Sequence, residues 1–248
     1  MNKSVRINGH KMLLLSVLLP LAAVLQQALG KTIVSKMSPK KQLEILDHIN
    51  DVRRNVEPTA SNMMKMVWSD EASASAGKWV SQCHFRNSPK EERISNNVVC
   101  GETLSQTMTP SSWPDVIQSW ASTKHNFKYG IGPIDPKKNI YSYTQLIWYN
   151  SHMVGCALAY CKGNSYPYLY SCHFCPSGNI QDKIAAPYKE GPSCADCPSD
   201  CDDKLCTNAC PYKNVYSECE KMKNLFSCES NVMVDNCQAL CRCPDQVS

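Results

Sequence analysis

The cysteine distribution constrains this chain more than any other feature. Ten of its 16 cysteines lie between Cys194 and Cys243. Few large apolar residues separate them, and a segment this small cannot sustain an apolar core unaided. We therefore predict that disulfides hold it together, each contributing about 2–4 kcal/mol mainly through the unfolded state. Spacing alone leaves the pairing open, because six cysteines already permit many alternative connectivities.

The N-terminus predicts a route to an oxidising compartment. Three basic residues precede an apolar run from Met12 to Leu25, and small residues at 28–30 suit cleavage, which is typical of a signal peptide over residues 1–30. The run is shorter than the roughly 20 residues that cross a bilayer. We expect the mature chain, Lys31–Ser248, to be secreted, extracellular and not inserted in a membrane.

Charge argues against a nucleic-acid partner. The formal net charge of +4 includes the three basic residues of the predicted signal peptide. From Cys194 to the end, nine acidic residues outnumber five basic ones. Neither half of the mature chain has the basic density of a nucleic-acid binder.

Three serine-capped stretches predict helices in the first part of the mature chain. Ser38-Pro39 opens the first, which should end before Pro58, Trp68-Ser69 opens the second, and Ser112-Trp113-Pro114-Asp115 opens the third. Apolar residues follow at helical spacing. The predicted buried residues are Leu43, Leu46, Ile49, Val52 and Val56, then Ala72, Ala76, Trp79 and Val80, then Val116, Ile117 and Trp120.

Three later runs predict antiparallel strands. Residues 143–148, 154–160 and 166–173 are rich in β-branched and aromatic side chains and are separated by turn residues. Helices followed by strands over about 150 residues are typical of an α+β domain in which helices cover a sheet.

Several segments carry a family resemblance. They are Ala60-Ser61-Asn62-Met63, Cys100-Gly101-Glu102, Tyr143-Thr144-Gln145-Leu146-Ile147-Trp148 and Cys172-His173-Phe174-Cys175-Pro176-Ser177-Gly178-Asn179-Ile180. They are similar to the signature segments of the CAP superfamily. With the cysteine-rich segment behind them, the mature chain resembles a cysteine-rich secretory protein (CRISP), most closely the reptile venom members.

The resemblance implies an architecture and a disulfide pairing. We expect an α-β-α sandwich CAP domain over 31–187, a cysteine hinge over 188–209, and a helical cysteine-rich domain similar to the ShKT fold over 210–243. The implied disulfides are Cys83–Cys161, Cys100–Cys175, Cys156–Cys172, Cys194–Cys201, Cys197–Cys206, Cys210–Cys243, Cys219–Cys237 and Cys228–Cys241.

One family feature is degenerate. Many CAP domains hold a cleft of two histidines and two glutamates that can bind zinc, and matching the segments places those positions at Asn87, Glu102, Thr123 and Ser142. A lone carboxylate beside an amide and two hydroxyls binds such an ion weakly. We expect no metal, no cofactor and no catalytic residue, and we expect Glu102 to accept backbone N–H bonds instead.

Three other hypotheses fit some of these residues. Cys172-x-x-Cys175 followed by Cys194-x-x-Cys197 fits a zinc ribbon, which an oxidising compartment disfavours. A hydrolase could use Ser142 or Thr123 with Glu102, but the position of the family's histidine is Asn87 here, and His84, three residues away, would have to fold back. A lipid groove could be lined by Met63, Met64, Met66, Trp113 and Ile117, although such residues are more often core. We expect His48, His84, His125, His152 and His173 to be surface or structural residues.

The cysteine-rich domain is the predicted binding surface. The candidate contact residues are Tyr212, Lys213, Tyr216, Lys221, Lys223 and Phe226, with Leu225 beside them. Aromatic and cationic side chains on a rigid frame suit hot-spot binding, although Leu225 and Phe226 could instead form a small core. The resemblance implies a monomeric toxin that impairs calcium-release (ryanodine receptor), voltage-gated calcium, potassium or cyclic-nucleotide-gated channels. The alternative is a reproductive-tract protein that coats sperm.

Overall fold

The structure, a computed structural model, describes residues 32–210, 212, 214–216 and 218–243. The predicted signal peptide and Lys213 lie outside the described residues. The helices are α1 (Pro39–Arg54), α2 (Asp70–Val80), α3 (Trp113–Ala121), α4 (Tyr141–Leu146), α5 (Cys219–Met222), α6 (Asn231–Asn236) and α7 (Gln238–Arg242), with 3-10 turns at Lys90–Glu92, Ser122–Asn126 and Gln181–Lys183. In this part of the chain, no helix has the length and apolar character needed to cross a membrane.

The strands form one larger sheet and three small hairpins. The strands are β1 (Ile33–Ser35), β2 (Val67–Trp68), β3 (Ile94–Ser95), β4 (Val98–Val99), β5 (Gly101–Thr107), β6 (Phe127–Lys128), β7 (Gly132–Pro133), β8 (Met153–Tyr160), β9 (Tyr168–Cys175), β10 (Cys201–Asp202) and β11 (Leu205–Cys206). The larger sheet has the order β1-β8-β9-β5, and its long neighbours are antiparallel. The short strand β2 pairs in parallel with the start of β8.

The three predicted helix starts are confirmed. Ser38, Ser69 and Ser112 each accept a hydrogen bond from a backbone N–H in the first turn of α1, α2 and α3, respectively. The predicted buried residues of α2 and α3 are buried as well. In α1 the stripe is shifted, because Leu43 is 61% exposed and Ile45 is fully buried.

The strand prediction for residues 143–148 is wrong, because helix α4 covers most of that segment. Residues 143–148 are all buried, so no side of this segment faces water. The sheet offers this segment no strand partner, so its backbone groups form helical bonds or bond to side chains. The Ile147 N–H bonds to the Tyr143 carbonyl, and the Tyr143 N–H bonds to Thr123 Oγ1. Strand β5, rich in polar residues, was not predicted.

Strand alternation creates the two sides of the α-β-α sandwich. Val154 and Cys156 of β8 belong to the main core, which also contains residues of α1, α3 and α4. Ala157 and Ala159 face the opposite side and pack with α2. At Gly155 a Cβ atom would lie 2.0 Å from the Ser73 nitrogen, so only glycine allows α2 this close to the sheet.

A buried arginine ties α1 to the segment after α4. The Arg53 side chain is fully buried, and burial lowers its pKa to about 9. Its guanidinium donates to five carbonyl oxygens at 2.7–3.0 Å, those of Met64, Leu146, Trp148, Tyr149 and Ser151. Arg53 therefore satisfies buried backbone acceptors that neither a helix nor a strand uses.

Candidate functional site

The C-terminal module, residues 210–243, is a frame of three short helices and three disulfides. The bonds Cys210–Cys243, Cys219–Cys237 and Cys228–Cys241 are present, and all eight disulfides of the structure have the pairing that the family resemblance implies. The buried interior contains Met233, Ala239 and several cystine sulfurs. This interior needs no large aromatic side chain.

Several large apolar side chains of the module face solvent. Leu225 is 77% exposed and Phe226 is 44% exposed, directly after α5. Val215 and Tyr216 are 68% and 47% exposed. The alternative that Leu225 and Phe226 form the module's core is therefore wrong. A disulfide-fixed backbone that displays large apolar groups is suited to contact with another macromolecule.

The cationic candidates differ in their surroundings. Lys221 forms an exposed ion pair with Glu218 one helical turn away, and the hydrogen bond to Glu218 raises the pKa of Lys221. Lys223 is exposed and forms no ion pair among the described residues. The Arg242 guanidinium lies 4.8 Å from the centre of the Tyr212 ring, a cation–π contact that the sequence analysis missed. Tyr212 is thus partly covered, and Lys223 is the described lysine candidate whose charge no ion pair among the described residues offsets.

The cysteine hinge is packed against the CAP domain. Cys206 donates its N–H to the Met63 carbonyl, and its own carbonyl accepts from the Lys65 N–H. Ion pairs join Arg54 to Asp203 and Lys65 to Asp202. These contacts hold the hinge on the loop that follows α1.

The contacts also continue past Pro187, where the predicted CAP boundary lies. Tyr188 is buried in the main core, and its hydroxyl donates to the Pro58 carbonyl. The Gly191 N–H bonds to the Thr59 carbonyl. The chain between the CAP domain and the hinge is therefore part of the packed structure and not an extended linker.

The second candidate region is a polar cleft of about 510 Å³ at the β5 edge of the sheet. Asn87, Glu102 and Ser142 line it, as the family resemblance implies. Thr123 does not line the cleft, so its predicted place in the cleft is wrong. Its hydroxyl donates to the Trp120 carbonyl and accepts from the Tyr143 N–H, so it caps the junction between α3 and α4.

Glu102 is fully engaged by neighbouring donors. One carboxylate oxygen accepts from the Ser88 N–H at 2.7 Å and from Asn87 Nδ2 at 3.1 Å. The other contacts Ser171 Oγ at 3.1 Å and His173 Nε2 at 3.2 Å. Burial alone would raise the pKa of Glu102, but these hydrogen bonds, chiefly that from His173, hold it below its ordinary value. Glu102 thus accepts a backbone N–H bond, as expected from the sequence.

These residues do not fit a zinc ion. The Glu102 side chain has no exposed surface and its oxygens already accept bonds from protein donors. The charged side chains that also line the cleft are cationic: Arg86, Lys90 and Arg93. Positive charge and an occupied carboxylate both oppose binding of a divalent cation.

The structure also argues against the zinc-ribbon and hydrolase hypotheses. Cys194, Cys197 and Cys206 bring their sulfurs within 4.8 Å of one another, but all three form disulfides and offer no thiolate. Among the described residues, no histidine bonds to Ser142 or Thr123. His84 is exposed beside the Trp79 ring. Neither hydroxyl therefore has a base within hydrogen-bond reach.

His173 has a structural role that the sequence did not reveal. It is fully buried, and its Nδ1 lies 3.1 Å from Ser75 Oγ while its Nε2 faces Glu102. His173 thereby connects α2 to β5 through β9. The residues proposed to line a lipid groove, Met63, Met64, Met66, Trp113 and Ile117, are at most 3% exposed and form core.

Comparisons with known proteins agree with this architecture. The CAP family model, described as the cysteine-rich secretory protein family, matches residues 46–174, and a model named Crisp matches residues 194–248. The chain is similar to the crystal structure of Na-ASP-1, with a TM-score of 0.57 and 25% identity over 70% of this chain. That match spans 48% of Na-ASP-1, about half its length.

Two further solved structures share the fold. NaASP2, in a crystal structure with Zn²⁺, has a TM-score of 0.57 and 22% identity, over 69% of this chain and 97% of its own. Hookworm platelet inhibitor has a TM-score of 0.55 and 19% identity, over 70% of this chain and 93% of its own.

The family match and the disulfides together place the protein in a class. Eight disulfides require an oxidising environment and, with the CAP match, indicate a secreted protein. A CAP domain followed by a disulfide-rich Crisp domain is typical of secreted proteins that are not enzymes. The CAP model covers more than half of the chain, so the protein belongs to the cysteine-rich secretory protein family of the CAP superfamily.

Proposed function

We propose that this protein is a non-enzymatic modulator of an ion channel and a component of a reptile venom. On a channel of the plasma membrane, the C-terminal module would cap the pore mouth from outside the target cell, acting as a monomer. The family resemblance supports calcium-release (ryanodine receptor), voltage-gated calcium, potassium and cyclic-nucleotide-gated channels as the classes to test.

The observation that carries the proposal is the exposure of Leu225 and Phe226 on a disulfide-fixed frame. Exposed apolar groups of this size cost solvation free energy, which contact with a partner would recover. Because the disulfides fix the backbone, little conformational entropy is lost on docking. The same geometry would serve any protein partner, and the channel classes come from the family resemblance.

Long-range attraction is not the main driving force in this proposal. Residues 194–248 carry nine acidic and five basic side chains, a balance that opposes approach to the acidic outer vestibule of a cation channel. Binding must then depend on short-range contacts of Phe226 and Tyr216. Lys223, free of an ion pair among the described residues, is the residue best placed to put a local positive charge at the pore.

The experiment is patch-clamp recording on a panel of these channels with the full-length mature protein. We expect block at micromolar concentration or below, weakened in Tyr216→Ala and Lys223→Ala. Lys221→Ala is the matched control, because the Glu218 ion pair already compensates that charge. Each variant is first checked for native disulfides by mass mapping. Absence of any response across the panel would overturn the proposal and favour sperm coating in the reproductive tract.

A further inference from the structure

The cleft lies along a free strand edge. Strand β5 is the last strand of the sheet, and alternate residues direct their backbone groups away from β9. At Cys100 both outward groups bond to Arg93, and at Leu104 the outward carbonyl accepts from Trp120 Nε1. Glu102 lies between them with the same orientation, and no described residue bonds to its backbone N–H or carbonyl. The cleft therefore exposes a short unpaired strand edge.

The charge facing this edge is positive. Arg86 and Lys90 are exposed and form no ion pair among the described residues. Arg93 and Glu102 offset each other, with Arg93 Nη1 lying 3.8 Å from a carboxylate oxygen of Glu102. Glu91 lies next to Lys90 in sequence but does not line the cleft. Two uncompensated cations therefore remain beside the strand edge.

Two hydroxyl groups add unused hydrogen-bonding capacity. Thr103 lines the cleft and is 3% exposed, and its Oγ1 has no hydrogen-bond partner among the described residues. Ser142 Oγ, on the opposite wall, also forms no hydrogen bond in the described part of the chain. A buried hydroxyl without a partner is unfavourable unless a water molecule or a ligand satisfies it.

We propose that this cleft binds an extended peptide segment carrying acidic side chains. The segment's backbone would pair with the free edge at Glu102, which is strand addition to a sheet. Its carboxylates would lie against Arg86 and Lys90, and its polar side chains would reach Ser142. The cleft volume of about 510 Å³ accommodates a few residues. This site is distinct from the channel-binding surface proposed for the C-terminal module.

The test is isothermal titration calorimetry of the full-length protein with capped pentapeptides. One probe alternates threonine with glutamate, a second replaces glutamate by lysine, and a third is the acidic peptide with N-methyl groups on alternate amides. We expect saturable binding of the acidic peptide. Binding of the lysine peptide and of the N-methylated peptide should each be about tenfold weaker or undetectable, because each lacks one class of contact.

Protein variants test the cationic wall. Arg86→Glu/Lys90→Glu should weaken binding of the acidic peptide about tenfold, and salt should weaken it in the wild type. Lys40→Glu/Lys41→Glu, the same charge change on the exposed start of α1, should leave binding unchanged. Failure of the acidic peptide to saturate below about 1 mM would overturn the proposal. Equal binding of the N-methylated peptide, or full displacement by succinate at the same concentration, would show an anion site without strand pairing and would also overturn it.

Discussion

The CAP domain and the C-terminal module reach stability by different routes. In the CAP domain, helices and a sheet bury side chains such as Ile45 and Ile49 of α1 and Phe174 of β9, and three disulfides join parts already in contact. In the module the interior consists mainly of Met233 and cystine sulfurs, and three disulfides cross-link residues 210–243. A fold held by disulfides needs few buried apolar side chains, so several of its large apolar residues can lie at the surface. Leu225 and Phe226 are exposed for that reason.

The largest expected effect is on the CAP domain alone. Arg53→Met removes the guanidinium from five carbonyl oxygens, of which those of Trp148 and Tyr149 keep a backbone N–H donor, and should lower the free energy of unfolding by about 4 kcal/mol, because unsatisfied buried polar groups are costly. All five tryptophans precede residue 149, so tryptophan fluorescence in urea reports on this domain. Arg54→Met, which breaks a surface ion pair with Asp203, is the control and should cost at most about 1 kcal/mol. Equal effects of the two variants would contradict the role given to Arg53.

A matched pair of disulfide deletions tests whether the module depends on its disulfides more than the CAP domain does. Cys219–Cys237 and Cys156–Cys172 close segments of 18 and 16 residues, so loop entropy predicts a similar loss of about 3 kcal/mol for each. Cys219→Ala/Cys237→Ala should unfold the module, which has little else to hold it. Cys156→Ala/Cys172→Ala should lower the melting temperature but leave the CAP domain folded. Hydrogen exchange resolved by peptide is the measurement.

Wild-type protection of residues 210–243 from hydrogen exchange after loss of Cys219–Cys237 would contradict the claim that disulfides hold the module together. The module would then have a core that its buried side chains do not reveal. Unfolding of the CAP domain after loss of Cys156–Cys172 would be equally contradictory, because its apolar core would be shown to be insufficient.

Acid should weaken the CAP domain through Glu102. Its pKa in the folded protein lies below the ordinary value of 4.5, so its ionised form stabilises the fold above that pH, and this contribution is lost as pH falls through the folded pKa. Glu102→Gln should cost about 2 kcal/mol at pH 7 and less at about pH 3, because hydrogen bonds to a charged group are the stronger ones. Glu91→Gln, at an exposed carboxyl, is the control. An equal loss of stability at both pH values would show that the charge of Glu102 does not stabilise the fold.

The sequence predicted what short-range chemistry determines. Serine caps located the starts of α1, α2 and α3, because a cap acts within one helical turn. Family resemblance gave the disulfide pairing that the structure shows, which spacing alone left open. The cleft positions at Asn87, Glu102 and Ser142 followed from the same resemblance.

Features that depend on tertiary context were not predictable. Residues 143–148 have strand-forming side chains, but no strand of the sheet lies beside them, and helix α4 forms over most of the segment. The role of Arg53 could not be read from the sequence, because its carbonyl partners lie up to 98 positions away in the chain. His173 and Glu102 meet only because β9 pairs with β5. The predicted cleft position of Thr123 was wrong because its contacts with Trp120 and Tyr143 depend on how α3 and α4 meet.

The most direct test of the central claim compares two exposed phenylalanines, one in each region. Phe226 in the module is 44% exposed and Phe85 in the CAP domain is 57% exposed. On a channel that the wild-type protein blocks, Phe226→Ala should raise the half-blocking concentration about tenfold or more, because burying one aromatic side chain contributes about 1.5–3 kcal/mol. Phe85→Ala should change it less than about twofold. Loss of block in Phe85→Ala, or full block by Phe226→Ala with native disulfides, would contradict the claim that the module carries the activity.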